Sequence, residues 1–180
     1  MDIDLIIAAL KGRCLSFGER VAGAAEYKRL AESSNLVMPA AYVIPLDDSA
    51  GEQQSENSYR QQITDAVAVV VVLSNTADER GQTPLATVRS IRKELWKALL
   101  GWKPDVEHGP IQYEGGQLLD LDRARMYYQF EFSAGIELDQ SDTYQAIANA
   151  ALPALISVVT TIDEPAGTTE VTATIPLAQQ

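Results

Sequence analysis

The sequence is poor in the groups that most often carry chemistry. Its 180 residues include one cysteine and one histidine. That inventory excludes a disulfide framework and a multi-Cys or multi-His zinc site. Lysine and arginine are scarce beyond the middle of the chain, and neither occurs after Arg125. The formal net charge is −11. A chain this acidic is a poor general binder of nucleic acid, because phosphate binding gains most of its free energy when Lys and Arg displace counterions. Long apolar runs are missing too. The longest, Ala66 to Leu73, is strand-sized, against the roughly 20 residues needed to cross a bilayer. Met1-Asp2-Ile3-Asp4 starts acidic and lacks the basic opening of a signal peptide. The expectation is synthesis in the cytoplasm, no membrane partner, and a reduced, packed Cys14. The G-x-x-x-x-G-K-[ST], G-x-G-x-x-G and G-x-S-x-G signatures are absent.

What is present is ordinary for a globular protein: 46% hydrophobic and 22% charged residues. The length suits one domain with an appended arm. The charge is unevenly spread. Residues 1–104 hold 13 acids and 12 bases, whereas residues 105–180 hold 12 acids and 2 bases. The acidic half suits solubility, a basic partner, or repulsion of a polyanion.

Spacing of apolar residues predicts the elements. Ile3, Ile6, Ile7 and Leu10 form a helical stripe behind an Asp2 or Asp4 cap, with Gly12 as the stop. Residues 23–33 read as a second helical stretch. Residues 39–46 alternate as a short strand. Residues 47–57 are polar and turn-rich, and read as an exposed, mobile loop. Residues 58–75 are the strongest strand, and the β-branched run within them implies burial on both faces. Thr83-Pro84 opens a long helix ended by Gly101 and Pro104. Leu85, Val88, Ile91, Leu95 and Leu99 form its buried stripe. Residues 111–114 and 117–121 read as strands joined by a Gly115-Gly116 turn. Residues 125–138 alternate strictly, with Met126, Phe130 and Phe132 on one face and Gln129, Glu131 and Glu137 on the other. A helix over 143–151 is broken by Pro153. Strands over 155–162 and 168–175 suggest a C-terminal hairpin. The predicted fold is α+β: a mostly antiparallel β-sheet packed by two main helices, with a C-terminal β-hairpin arm. The expected division is a domain over 1–151 and an arm over 152–180.

Few residues suggest catalysis. A Cys14–His108 dyad lacks anything that brings the two together, and a lone loop histidine is usually solvated. Asp120-x-Asp122 and Asp47-Asp48 fall short of a cation-binding spacing. Asp78-Glu79-Arg80-Gly81 reads as a turn. Surface features are more informative. Arg89, Arg92, Lys93 and Lys97 give the long helix a basic face, which is either solvated or a docking surface for an acidic partner, another copy among them.

The order of motifs resembles the tail terminator proteins of long-tailed (siphovirus-like) bacteriophages. The likeness covers Met1 to about Ala151. It rests on the opening helix Met1 to Leu10, on Ala40-Ala41-Tyr42-Val43-Ile44-Pro45-Leu46, and on Ala77-Asp78-Glu79-Arg80-Gly81. It continues in Glu94-Leu95-Trp96-Lys97-Ala98-Leu99-Leu100-Gly101-Trp102, in Tyr113-Glu114-Gly115-Gly116, and in Tyr127-Tyr128-Gln129-Phe130-Glu131-Phe132. These are packing and turn motifs. The resemblance implies a non-enzymatic virion protein at the head-proximal end of the tail. It would form a homohexameric ring that caps the tail tube, ends tail polymerisation and joins the tail to the head connector or completion protein. DNA would pass through the ring without specific binding. Another head-tail joining or tail-completion adaptor is the nearest alternative, and a small carboxylate-dependent enzyme a more distant one. No catalytic, cofactor or metal residue is assigned. Asp47, Asp48, Glu52, Tyr59, Arg89, Arg92, Lys93, Lys97, Glu131 and Glu137 are the candidate subunit and partner interface residues.

Overall fold

A computed structural model of the chain describes residues 1–29, 36–75, 82–152, 157–162 and 171–176. For 82–85, 157–162 and 171–176 the description is of backbone alone. The expected features at 30–33, 78–81, 153 and 163–170, and the side chain of Leu85, lie outside it.

Two units make up the chain, Met1–Asp139 and Gln140–Gln180. The first is built on a six-stranded sheet in the order β1-β2-β4-β6-β5, with β3 pairing β4 beside β2. Its strands are β1 (Val21–Gly23), β2 (Ala40–Pro45), β3 (Ser49–Gln53), β4 (Arg60–Ser74), β5 (Gln112–Leu121) and β6 (Arg125–Asp139). Every pairing is antiparallel except β1 with β2. The helices are α1 (Ile3–Arg13), α2 (Ala24–Arg29) and α3 (Gln82–Leu99). The mostly antiparallel α+β class expected from the sequence is the one observed.

Capping explains where α1 starts. Asp2 Oδ1 accepts from the backbone N–H groups of Asp4 (2.9 Å) and Leu5 (3.2 Å), which satisfies two of the donors a helix start leaves open. Gly12 does not stop the helix. The Cys14 N–H still reaches Leu10 O at 2.9 Å, so one glycine inside a packed helix is tolerated. α3 gives way at Gly101, whose φ of 75° is a left-handed conformation suited to glycine.

β4 and β6 pair along their full 15-residue lengths, from Arg60↔Asp139 to Ser74↔Arg125. β4 is buried on both faces, as its β-branched run implied. Val67, Val69, Val71 and Leu73 join Phe130 and Phe132 of β6, Ile6 and Leu10 of α1, and Ile91, Leu95 and Leu99 of α3 in the main core. Val70 and Val72 point the other way. They pack with Ala40 and Tyr42, against which Tyr27 of α2 and Tyr127 lie. Each fully buried aliphatic side chain of this kind contributes about 1.5–3 kcal/mol.

Two expectations are corrected here. The 47–57 segment is not a free loop, because Ser49–Gln53 forms β3. β4 outruns β2, so its edge at residues 61–64 offers unpaired backbone groups, and β3 fills them through Ser49↔Thr64 and Gln53↔Gln61. All five β3 residues are exposed, so pairing required no apolar pattern. Gly115-Gly116 is not a turn but lies inside β5, at a register shift between Tyr113 and Gly115. A Cβ on Gly116 would sit 2.9 Å from Tyr113 Oη and 3.2 Å from the Gln129 carbonyl oxygen. Glycine is there for close approach and a bulge.

The second unit holds a 3-10 turn (Gln140–Asp142), α4 (Tyr144–Ala150), and β7 (Ser157–Ile162) paired antiparallel with β8 (Val171–Pro176). Thr143 is the N-cap residue of α4, although no side-chain capping bond forms.

Candidate functional site

The interface candidates fall into separate groups. Asp47 and Asp48 are exposed between β2 and β3. They line a shallow cleft with Met1, Ile3, Leu46 and Asp65. Glu52 is exposed on β3, and Tyr59 is half-buried just before β4, its Oη 2.5 Å from Gln61 Oε1. The β3–β4 turn is closed by Gln53, whose Nε2 donates to the Ser58 carbonyl at 2.9 Å and whose Oε1 accepts from Arg60 N at 3.1 Å.

Glu131 and Glu137 lie on the sheet face opposite Phe130 and Phe132, because side chains alternate along a strand. Glu137 accepts from Arg60 Nη2 at 3.0 Å and Gln62 Nε2 at 2.5 Å. Glu131 accepts from Gln129 Nε2 at 2.5 Å and Gln117 Nε2 at 3.3 Å. Ser133 Oγ donates to Glu114 on the same face. The result is a hydrogen-bonded Glu/Gln surface.

The basic face of α3 divides. Arg89, Lys93 and Lys97 are exposed. Arg92 is half-buried, with its guanidinium carbon 5.1 Å from the Trp96 ring centroid, a cation–π contact. α3 packs on the Phe130 side of the sheet. Its outer ridge and the Glu131/Glu137 surface are therefore on opposite sides of the first unit, and no single site joins them. Glu94 instead faces the loop after α1, accepting from Ser16 Oγ at 2.6 Å and Ser16 N at 3.2 Å.

The main feature missed by sequence reasoning is His108. It is not a solvated loop residue, being only 6% exposed. Its Nδ1 is 2.7 Å from Asp105 Oδ1 and its Nε2 is 2.9 Å from Asp65 Oδ2. The Met1 amino group also bonds to Asp65. The hydrogen bond from that amine, and then the one from His108, outweigh burial and hold the Asp65 carboxyl below its usual range. At Asp105 burial opposes ionisation, but the side-chain and backbone hydrogen bonds from His108 prevail and lower its pKa. Together with the Gly109 N–H bond to Gly135 O at 2.8 Å, the cluster fastens the segment after α3 to β4 and β6. Two signals were available: the Asp105-x-x-His108 spacing, and Asp65 as the lone acid within β4.

The Cys14–His108 dyad, already set aside on the sequence, has no free imidazole nitrogen to serve as its base, since both are held by aspartates. Cys14 is a buried free thiol, which burial pushes up to about 11, so it is a poor nucleophile at neutral pH. Asp122 shapes the β5–β6 turn, its Oδ1 accepting from Ala124 N and Arg125 N at 2.6 Å each. Among the described residues no group of three or more His, Cys, Asp or Glu is placed to hold a metal ion. None of the described helices is long and apolar enough to cross a membrane.

The polar groups described above hold surfaces and turns of an α+β unit, and a fold of this class does not by itself define an activity. A family model described as phage tail terminator protein matches residues 1–144. The chain belongs to the phage tail terminator family, which gives it a structural role in the virion tail. No curated protein sequence matches it.

Proposed function

We propose that this chain forms a homohexameric ring that caps the tail tube, ends tail polymerisation and joins the tail to the head connector or completion protein. Family membership over residues 1–144 is the observation that carries this reading. The body of the ring is the domain over 1–151, and residues 152–180 extend from it. The opposed surfaces fit a subunit that meets different neighbours on different sides. Asp47, Asp48, Glu52 and Tyr59 lie along one end of the sheet, Glu131 and Glu137 on its polar face, and Arg89, Lys93 and Lys97 on α3. Arg92 supports the α3 contact from behind, through Trp96. The partners are other copies, the tail tube protein and the connector. The acid excess after residue 104 suits a channel past which DNA slides without specific binding. The ring sits at the head-proximal end of the virion, after synthesis in the host cytoplasm, and no cofactor is invoked. Deleting the gene and imaging the particles tests the proposal. Tails of uncontrolled length, or heads left unjoined, are expected. Normal particles contradict it.

A further inference from the structure

The six-stranded sheet ends in a strand with little protection. β5 closes the order β1-β2-β4-β6-β5, and an end strand turns the N–H and C=O groups of alternate residues away from its neighbour. Natural edges are blunted by Lys, Pro, short length or bulges. β5 has ten residues and no Lys, Arg or Pro. Its register shifts, between Tyr113 and Gly115 and between Leu118 and Asp120, leave residues 115–118 regularly paired with residues 128–131. Three large apolar side chains stand at the far end: Leu118, Leu119 and Leu121 are 50%, 42% and 53% exposed. An edge that is both long and apolar is a template for a further strand.

The chain also holds a sheet that gains from a further strand. β7 and β8 form a separate two-stranded sheet, and two strands alone are marginally stable in water until a third joins. β7, Ser157-Val158-Val159-Thr160-Thr161-Ile162, carries neither charge nor proline. The other outer strands fit β5 less well. β1 has three residues. β3 has five, with Glu52 among them and Ala50 as its one apolar side chain. β8 ends in Pro176, which cannot donate to a ladder. A second β5 would set Glu114 and Asp120 against acids, with no base on either strand.

We infer that β7 of one copy adds to the outer edge of β5 of a second copy, extending the six-stranded sheet across the contact. The inference rests on the ring reading and assigns one of its contacts. Backbone hydrogen bonds supply the affinity of such strand addition, and cover over the three leucines adds buried apolar area. The family match ends at residue 144, so the contact is an addition to the shared body. Each chain carries one β5 edge and one β7, so the contact is head-to-tail and repeats around a closed ring.

Single-cysteine variants of the full-length chain test it. Cys14 is buried, so the added thiols report alone. Gln117→Cys is mixed in turn with Ser157→Cys, Val158→Cys, Val159→Cys, Thr160→Cys, Thr161→Cys and Ile162→Cys, and oxidised. A disulfide between two such variants necessarily joins two copies. Mass spectrometry should find position 117 joined to at least one β7 position in covalent dimers. Dimers joined 117 to 117 alone overturn the inference, because β5 then pairs with itself. Internal disulfides in chains carrying both cysteines, with none in the mixtures, overturn it because β7 then lies on its own sheet. Sedimentation of the wild type separates the remaining outcomes. Association without these links overturns the contact and leaves the ring standing, whereas no association and no links overturn both. A second arm uses the double variant Leu119→Lys with Leu121→Lys, which protects the edge with charge. It should melt as the wild type does and self-associate at least tenfold more weakly. Undiminished association overturns the contact.

Discussion

Asp65 is the residue on which most local order converges. It accepts from the Met1 amine and meets His108 Nε2 at 2.9 Å. Removing its charge leaves a buried imidazole without one of its two carboxylates. Because Asp65 is about a quarter exposed, solvent screening reduces the cost, and Asp65→Asn should destabilise the fold by about 1–2 kcal/mol at pH 7. The folded-state pKa of Asp65 is lowered from its ordinary 3.8. Its contribution is therefore full above that value and is lost as pH falls through the folded pKa. Urea denaturation at pH 7, 4 and 3 should show the gap between wild type and variant narrowing below about pH 4. A gap that widens with acid would contradict the assignment. Adjacent glycines give a second residue-level test. Gly116→Ala drives a methyl toward Tyr113 Oη and a β6 carbonyl, and should cost about 1–3 kcal/mol. At Gly115 nothing lies within 4 Å of a new Cβ, so Gly115→Ala should be close to neutral when the two variants are compared by urea denaturation.

At the scale of elements, α3 has two sides with opposite sensitivities. Leu95 is fully buried between the sheet and α1, so Leu95→Ala should cost about 2–5 kcal/mol by leaving a cavity. Lys93→Ala on the outer ridge should change stability by less than about 0.5 kcal/mol. Chemical denaturation of the two variants checks the contrast. The same scale explains what could be read from the sequence. α3 and β4 were legible because their apolar patterns are long and strictly periodic, and burial follows period. β3 was not legible, because it is held by backbone pairing to the overhang of β4 and buries no side chain. The two glycines of β5 carry the chemistry of a turn, and only the packing of Tyr113 and Tyr128 against Gly116 shows why they sit in a strand. His108 was misread because Asp65, its long-range partner, stands 43 residues away. Of the candidate interface, the charge types were legible. The separation of Arg92 from the ridge was not, since it depends on the ring of Trp96.

For the whole molecule, stability is assigned to the first unit. All described core residues lie between Ile6 and Ala134. A chain ending at residue 152 should therefore unfold cooperatively, within about 1 kcal/mol of the full-length protein, and yet self-associate more weakly. Calorimetry and sedimentation on the same samples check the two halves of that statement. The proposed function has six copies closing into a ring at the head-proximal end of the tail. Electron cryomicroscopy of intact virions tests it most directly. The account predicts a six-fold ring into which this chain fits, lying between the tail tube and the connector. Density for this chain elsewhere in the particle, or a ring at that position built by another protein, would contradict it.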